Sequence, residues 1–113
     1  MVNNYTKIIS NLKGLKLLSY TRFSDSTRII FDKGWEMIIY NPYSIEKNGI
    51  DISLEDNELL KGNSIVDYSY TSDEIIFTLN AGIIIHVNLR ENAFVGPEAM
   101  QVITPEGKII VWN

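Results

Sequence analysis

The only histidine in the chain, His86, stands in the run Ile83-Ile84-Ile85-His86-Val87-Asn88-Leu89. Alternation in a strand puts Ile83, Ile85, Val87 and Leu89 on one face, and Ile84, His86 and Asn88 on the other, more polar one. Hydrolytic use of His86 would need a nucleophile and an acid converging on it. No nucleophile motif surrounds it, so it reads as a partly exposed structural residue. One histidine and no cysteine leave only oxygen ligands for a metal. The densest acidic group is Asp51, Glu55, Asp56 and Glu58, and its spacing is not that of a calcium loop. No catalytic residue, metal ligand or cofactor site is therefore assigned, and the chain is not read as an enzyme.

The same acids allow two other readings. Carboxylates in a first helical turn complement the helix dipole. Alternatively, they meet lysines or arginines of a partner. Tyr68 and Tyr70 share one strand face, where they either pack across strands or anchor an interface. Asp51, Glu55, Asp56, Glu58, Tyr68 and Tyr70 are thus the candidate partner-binding residues. The glycines form neither a P-loop nor a dinucleotide fingerprint.

These residues need elements to position them. Tyr5, Ile8, Ile9 and Leu12 fall at i, i+3, i+4 and i+7, which predicts a short helix over 4–13 ending at Gly14. From Leu15 the period becomes two. Strands are expected at 15–23, 27–31 and 35–40, joined by Ser24-Asp25-Ser26 and Asp32-Lys33-Gly34 as an antiparallel meander. Asn41-Pro42 stops the third strand, and 42–53 reads as a connection with a turn at Asn48-Gly49. Ser53 followed by Asp56 resembles a capping box and predicts a second helix over 54–61. Strands follow at 64–70, 74–79 and 83–89, and a terminal hairpin pairs 100–103 with 108–112.

The second half of this pattern repeats the first. At an offset of 48 residues, Leu12-Lys13-Gly14 falls on Leu60-Lys61-Gly62, Tyr20 on Tyr68, Ser24-Asp25 on Ser72-Asp73 and Gly34 on Gly82. Apolar positions agree in phase, Met37 with Ile85 and Ile39 with Val87 among them. The fold expected is α+β, mainly antiparallel β. It is a helix plus three-stranded meander used twice (3–41 and 51–89) with the hairpin 100–112, as two packed sheets or one strongly curled sheet. At 113 residues it is read as a single domain.

A net charge of −4 argues against nucleic acid as a partner and suits a basic protein. Apolar runs are too short to span a bilayer, and the polar start, Met1-Val2-Asn3-Asn4, lacks a signal-peptide core, so a cytoplasmic protein without membrane contact is expected. Oligomeric state, monomer or homodimer, is open at this level. The terminal hairpin could pair edge to edge with another copy.

Gly96-Pro97-Glu98-Ala99-Met100, followed by Pro105-Glu106-Gly107-Lys108-Ile109-Ile110-Val111-Trp112, resembles the ending of small bacterial immunity proteins of contact-dependent growth inhibition and related toxin systems. The wider likeness is a Leu-Lys-Gly start, a strand ending in a glycine turn, and a closing tryptophan. The resemblance implies a stoichiometric antitoxin, bound in the cytoplasm to a cognate toxin domain such as a nuclease. Glu98 is the polar residue of that ending to follow. The other reading is a small-ligand-binding or scaffolding β domain without catalysis.

Overall fold

A computed structural model describes residues 9–52 and 57–112. Ten strands are present among them: β1 (Leu17–Arg22), β2 (Thr27–Phe31), β3 (Glu36–Ile39), β4 (Tyr43–Lys47), β5 (Ile50–Asp51), β6 (Ile65–Tyr70), β7 (Glu74–Leu79), β8 (Ile83–Asn88), β9 (Met100–Ile103) and β10 (Ile109–Trp112). They form two five-stranded sheets, ordered β1-β2-β3-β9-β10 and β5-β4-β8-β7-β6, with every pairing antiparallel. The first is called sheet 1 and the second sheet 2. Of the two arrangements expected, two sheets are found and one curled sheet is not. Their alternate residues, among them Ile29, Phe31, Met37, Ile39 and Val102 from sheet 1 and Ile45, Phe77, Ile85 and Val87 from sheet 2, join one buried hydrophobic cluster. Period-two burial along β2, β3, β7, β8 and β9 is what commits these segments to strands, since each has one face to bury.

Two expectations need correction. The first helix is helical at 9–12, and its residues 4–8 lie outside the described residues. The second, expected at 54–61, is only a 3-10 turn over Asn57–Leu59, with 53–56 outside the described residues. The duplicated helix is therefore not supported. Its failure has a reason in the repeat. Ile9 and Leu12 are both buried and one turn apart, giving the first helix a face to dock. Their partners at the 48-residue offset are Asn57 and Leu60, so half of that stripe is polar. A short segment without a docked face does not hold a helix.

The second correction concerns 42–53. It is not a plain connection but the hairpin β4–β5, turning at Asn48-Gly49, where φ is 51° and 84°. Two consecutive positive φ values are the signature of a type I′ hairpin turn. Pro42 sits just before β4 and loses nothing from the ladder. Its carbonyl still accepts from the Asn88 N–H at 3.0 Å.

The two meanders match bond for bond at the 48-residue offset. Leu17 faces Phe31 and Ile65 faces Leu79; each first strand then carries a bulge, between Leu17 and Ser19 and between Ile65 and Asp67. Where they meet, Lys16 and Ser64 form a bridge. Around it Gly14 N–H donates to Ile65 (2.7 Å) and Gly62 N–H to Leu17 (2.9 Å), while Leu17 N–H donates to Asn63 (2.8 Å) and Ile65 N–H to Leu15 (3.0 Å). Each bond is the image of its neighbour under the offset, which describes a pseudo-two-fold axis through the bridge. Gly14 and Gly62, at φ of 91° and 82°, supply the backbone conformation this crossing needs.

The hairpins obey the same symmetry but change sheets. β4, which follows the first meander, pairs with β8 of the second; β9, which follows the second, pairs with β3 of the first. Ile45 faces Ile85 as Val102 faces Met37, so the offset has grown to 57 residues here. The extra chain is the 89–99 segment, with a 3-10 turn at Glu91–Ala93.

Candidate functional site

The exchange of hairpins builds a polar surface on sheet 2. β4 and β7 flank β8 in sheet 2, and His86 points outward between them. Its Nδ1 lies 3.1 Å from Glu74 Oε1 and its Nε2 lies 3.2 Å from Glu46 Oε1. Glu46 stands 40 residues away along the chain and Glu74 stands 12 away. Only the non-local register of β4 against β8 brings the three together.

Burial, the largest single effect on the ring, disfavours its charged form. Hydrogen bonds to Glu46 and Glu74, with the charges of both carboxylates, outweigh it, so the His86 pKa is raised. Both ring nitrogens are engaged by glutamates. Ser44 is the residue directly opposite His86 on β4. With no nitrogen left to accept its proton, the pair does not make a nucleophile and base. Among the described residues no group of histidine, aspartate and glutamate is arranged to hold a metal ion.

Around this triad lies an open depression of ≈ 580 Å³, into which Asp51, Asp73 and Arg90 also face. Arg90 stands 4.0 Å from Asp73, and both are well exposed. Four carboxylates, Glu46, Asp51, Asp73 and Glu74, thus share a surface with one arginine and the histidine.

Sheet 1 serves as an internal control. The same backbone template there has Ile38 where sheet 2 has His86, Ile103 where it has Glu46, and Ser26 where it has Glu74. The shared part of the register is the same without the triad, although Ser26 lies just before β2 whereas Glu74 opens β7. Sheet 1 thus forms this register without a counterpart of Glu46, His86 and Glu74.

Of the residues expected to bind a partner, Asp51 belongs to this depression, on β5 opposite Glu46. Glu55 and Asp56 lie outside the described residues. Glu58 is exposed, within the 3-10 turn, and paired with Lys61 at 2.8 Å. Tyr68 and Tyr70 are partly buried against the core rather than displayed. Tyr70 meets the Trp112 ring edge-on, with centroids 5.3 Å apart, a contact between sheet 2 and sheet 1 and not one across neighbouring strands. Glu98 braces its own loop by accepting from Gln101 Nε2 at 2.7 Å. Glu46 and Glu74 were not among the expected site residues. The signal that finds them is register: once β4 is known to lie beside β8, Glu46 falls diagonal to His86.

A second polar group lies where the sheets approach. The Tyr20 and Tyr43 hydroxyls hydrogen-bond each other, and Thr27 Oγ1 is 2.8 Å from Tyr43 Oη. Burial pushes the Tyr20 phenol well up, and the hydrogen bond and charge of Tyr43 add to it against a smaller opposing effect of Arg22. Nearby, Asn41 is 2 % exposed. Its Nδ2 donates to the Asn88 carbonyl at 2.8 Å, and its Oδ1 has no hydrogen-bond partner among the described residues. An open depression of ≈ 530 Å³, with Phe23, Asn41, Tyr43 and Val95 in its wall, lies beside this group.

No family model, no curated protein and no solved structure matches this chain. Its function is therefore argued from its own surface. Among the described residues no helix is long and apolar enough to cross a membrane.

Proposed function

We propose that this protein is an immunity-type inhibitor, an antitoxin that binds a basic bacterial toxin domain, a nuclease in the first instance, one to one in the cytoplasm. The docking surface is the outer face of sheet 2, around Glu46, Asp51, Glu74 and His86. One observation carries the reading: the duplicated scaffold folds the same way with Ile38, Ile103 and Ser26 in place of the acidic triad, so the carboxylates serve an outward purpose. A nuclease is basic where it holds its substrate, and an acidic face can occupy that groove. The resemblance of the chain's ending to immunity proteins points the same way. The occupied ring nitrogens of His86 favour binding over catalysis.

The test is co-expression of the tagged protein with its genomic neighbours, followed by capture and mass spectrometry. Equimolar recovery of a basic toxin domain supports the proposal. Glu46→Gln, Asp51→Asn and Glu74→Gln together should then slow association at least tenfold, and added salt should slow the wild type toward the variant. Association that ignores both the substitutions and salt would remove the acidic face from the account. Recovery of no neighbour would favour the small-ligand reading, for which the unpartnered Asn41 Oδ1 beside its depression is the structural argument.

A further inference from the structure

The two sheets present four edge strands: β1 and β10 in sheet 1, and β5 and β6 in sheet 2. Three are guarded. β1 and β6 meet each other at their first residues through the Lys16–Ser64 bridge and its flanking bonds, and each carries a charge further along, Arg22 and Asp67. β5 is only two residues long, and one of them is Asp51. Short and charged edges resist further pairing. Among the described residues β10 has neither protection. It reads Ile109-Ile110-Val111-Trp112, without charge or proline, and Ile109 is 56 % exposed.

The ladder fixes which backbone groups of β10 are free. Thr104 N–H donates to the Lys108 carbonyl at 2.9 Å, and the register continues with Val102 facing Ile110 and Met100 facing Trp112. Antiparallel bonding alternates, so Lys108, Ile110 and Trp112 point their N–H and C=O groups toward β9, and Ile109 and Val111 point theirs away. The two outward residues also carry their side chains on the outer face of the sheet, opposite Ile103 and Gln101.

We propose that β10 is a homodimer edge, with two copies pairing β10 to β10 antiparallel about Ile110. That register sets Ile109 of each copy against Val111 of the other, and the outward N–H and C=O groups exchange bonds in both pairs. The strand is self-complementary in this arrangement: its exposed side chains meet apolar to apolar and no like charges face each other. The charge distribution permits the approach. The acidic depression lies on sheet 2, whereas the outer face of sheet 1 has Ile30, Ile38, Ile103, Ile109 and Val111, with Glu36 set against Arg28 at 3.8 Å. Two copies can therefore join into one ten-stranded sheet while the carboxylates of sheet 2 stay free. This inference concerns a different surface from the proposed function and stands apart from it.

Sedimentation equilibrium across a wide concentration range tests it, together with hydrogen exchange of individual amides. A reversible monomer–dimer equilibrium is expected, with Ile109 and Val111 amides gaining at least tenfold protection as concentration rises and Ile110 unchanged. Val111→Pro removes an outward N–H without touching the β9 ladder, and should be monomeric while still unfolding cooperatively. Ile109→Lys, on the outer face, should weaken the dimer likewise, and serves if the proline variant does not fold. A wild type that is monomeric throughout, or a dimer in which the Ile109 and Val111 amides exchange at a concentration-independent rate, would overturn the proposal.

Discussion

Lys16 and Ser64 face each other across the bridge between the two sheets, and each is held by the residue sixteen positions ahead of it. Lys16 N–H donates to Asp32 Oδ1 at 3.0 Å; Ser64 N–H donates to Asn80 Oδ1 at 2.9 Å. In return Asp32 N–H donates to the Lys16 carbonyl and Asn80 N–H to the Ser64 carbonyl. One acceptor is a carboxylate and its twin an amide, so the scaffold asks here for an oxygen and not for a charge.

Asp32→Asn should therefore leave stability nearly unchanged, because asparagine already fills the equivalent place. Asp32→Ala and Asn80→Ala should each cost about 0.5–1.5 kcal/mol, the ordinary worth of such a bond. Urea denaturation of the three variants checks this. A large loss for Asp32→Asn would show that the two halves are not equivalent at their junction.

His86 makes stability depend on pH. Its folded pKa is raised above the unfolded value. The resulting stabilisation is complete below the unfolded pKa and fades as pH rises through the folded one. Denaturation midpoints should fall over that window, and His86→Gln should flatten the slope. The ring is a third exposed, so solvent screening keeps the effect small. An NMR titration of His86 locates the window, and a pKa below that of a free histidine would contradict the geometry.

The internal control can be used as a design. Glu46→Ile with His86→Ile copies Ile103 and Ile38 onto sheet 2. The double variant should unfold cooperatively, at a temperature no lower than that of the wild type. It should also lose binding to any basic partner captured by the wild type. Thermal unfolding and a binding titration separate the two effects. A collapsed fold would mean that the triad holds the sheet together after all.

Much of the scaffold is written locally. β2, β7 and β9 run where the alternation of Thr27-Arg28-Ile29-Ile30-Phe31, Glu74–Leu79 and Met100–Ile103 places them, because one buried face per strand leaves little freedom of register. The same offset that aligns Gly34 with Gly82 also aligns the two bulges, which no single-strand pattern reveals. The hairpin β4–β5 was hidden by Pro42, read as a stop, although Asn48-Gly49 is a hairpin turn in its own right. In place of the second helix the described residues hold only the 3-10 turn, and Asn57 stands where Ile9 stands in the first copy. The site was the least legible part. His86 could be placed on a polar face, but nothing near it in the chain says that Ile45 will lie beside Ile85 rather than beside Met37, and Glu46 reaches the ring only through that choice.

The crossing of the hairpins also bears on how the chain acquires its structure. β3 finds its neighbour β9 only after some sixty further residues, and β8 finds β4 by reaching back about forty. Such distant pairings form late, since the loop they close must be ordered first. On the ribosome, the first meander would emerge with the inner side of β3 still unclaimed until Met100–Ile103 had been synthesised. Neither sheet can be finished by its own half, so a nascent chain gains its cooperativity all at once, when Met100–Ile103 has emerged, and a break between the two halves would leave both incomplete.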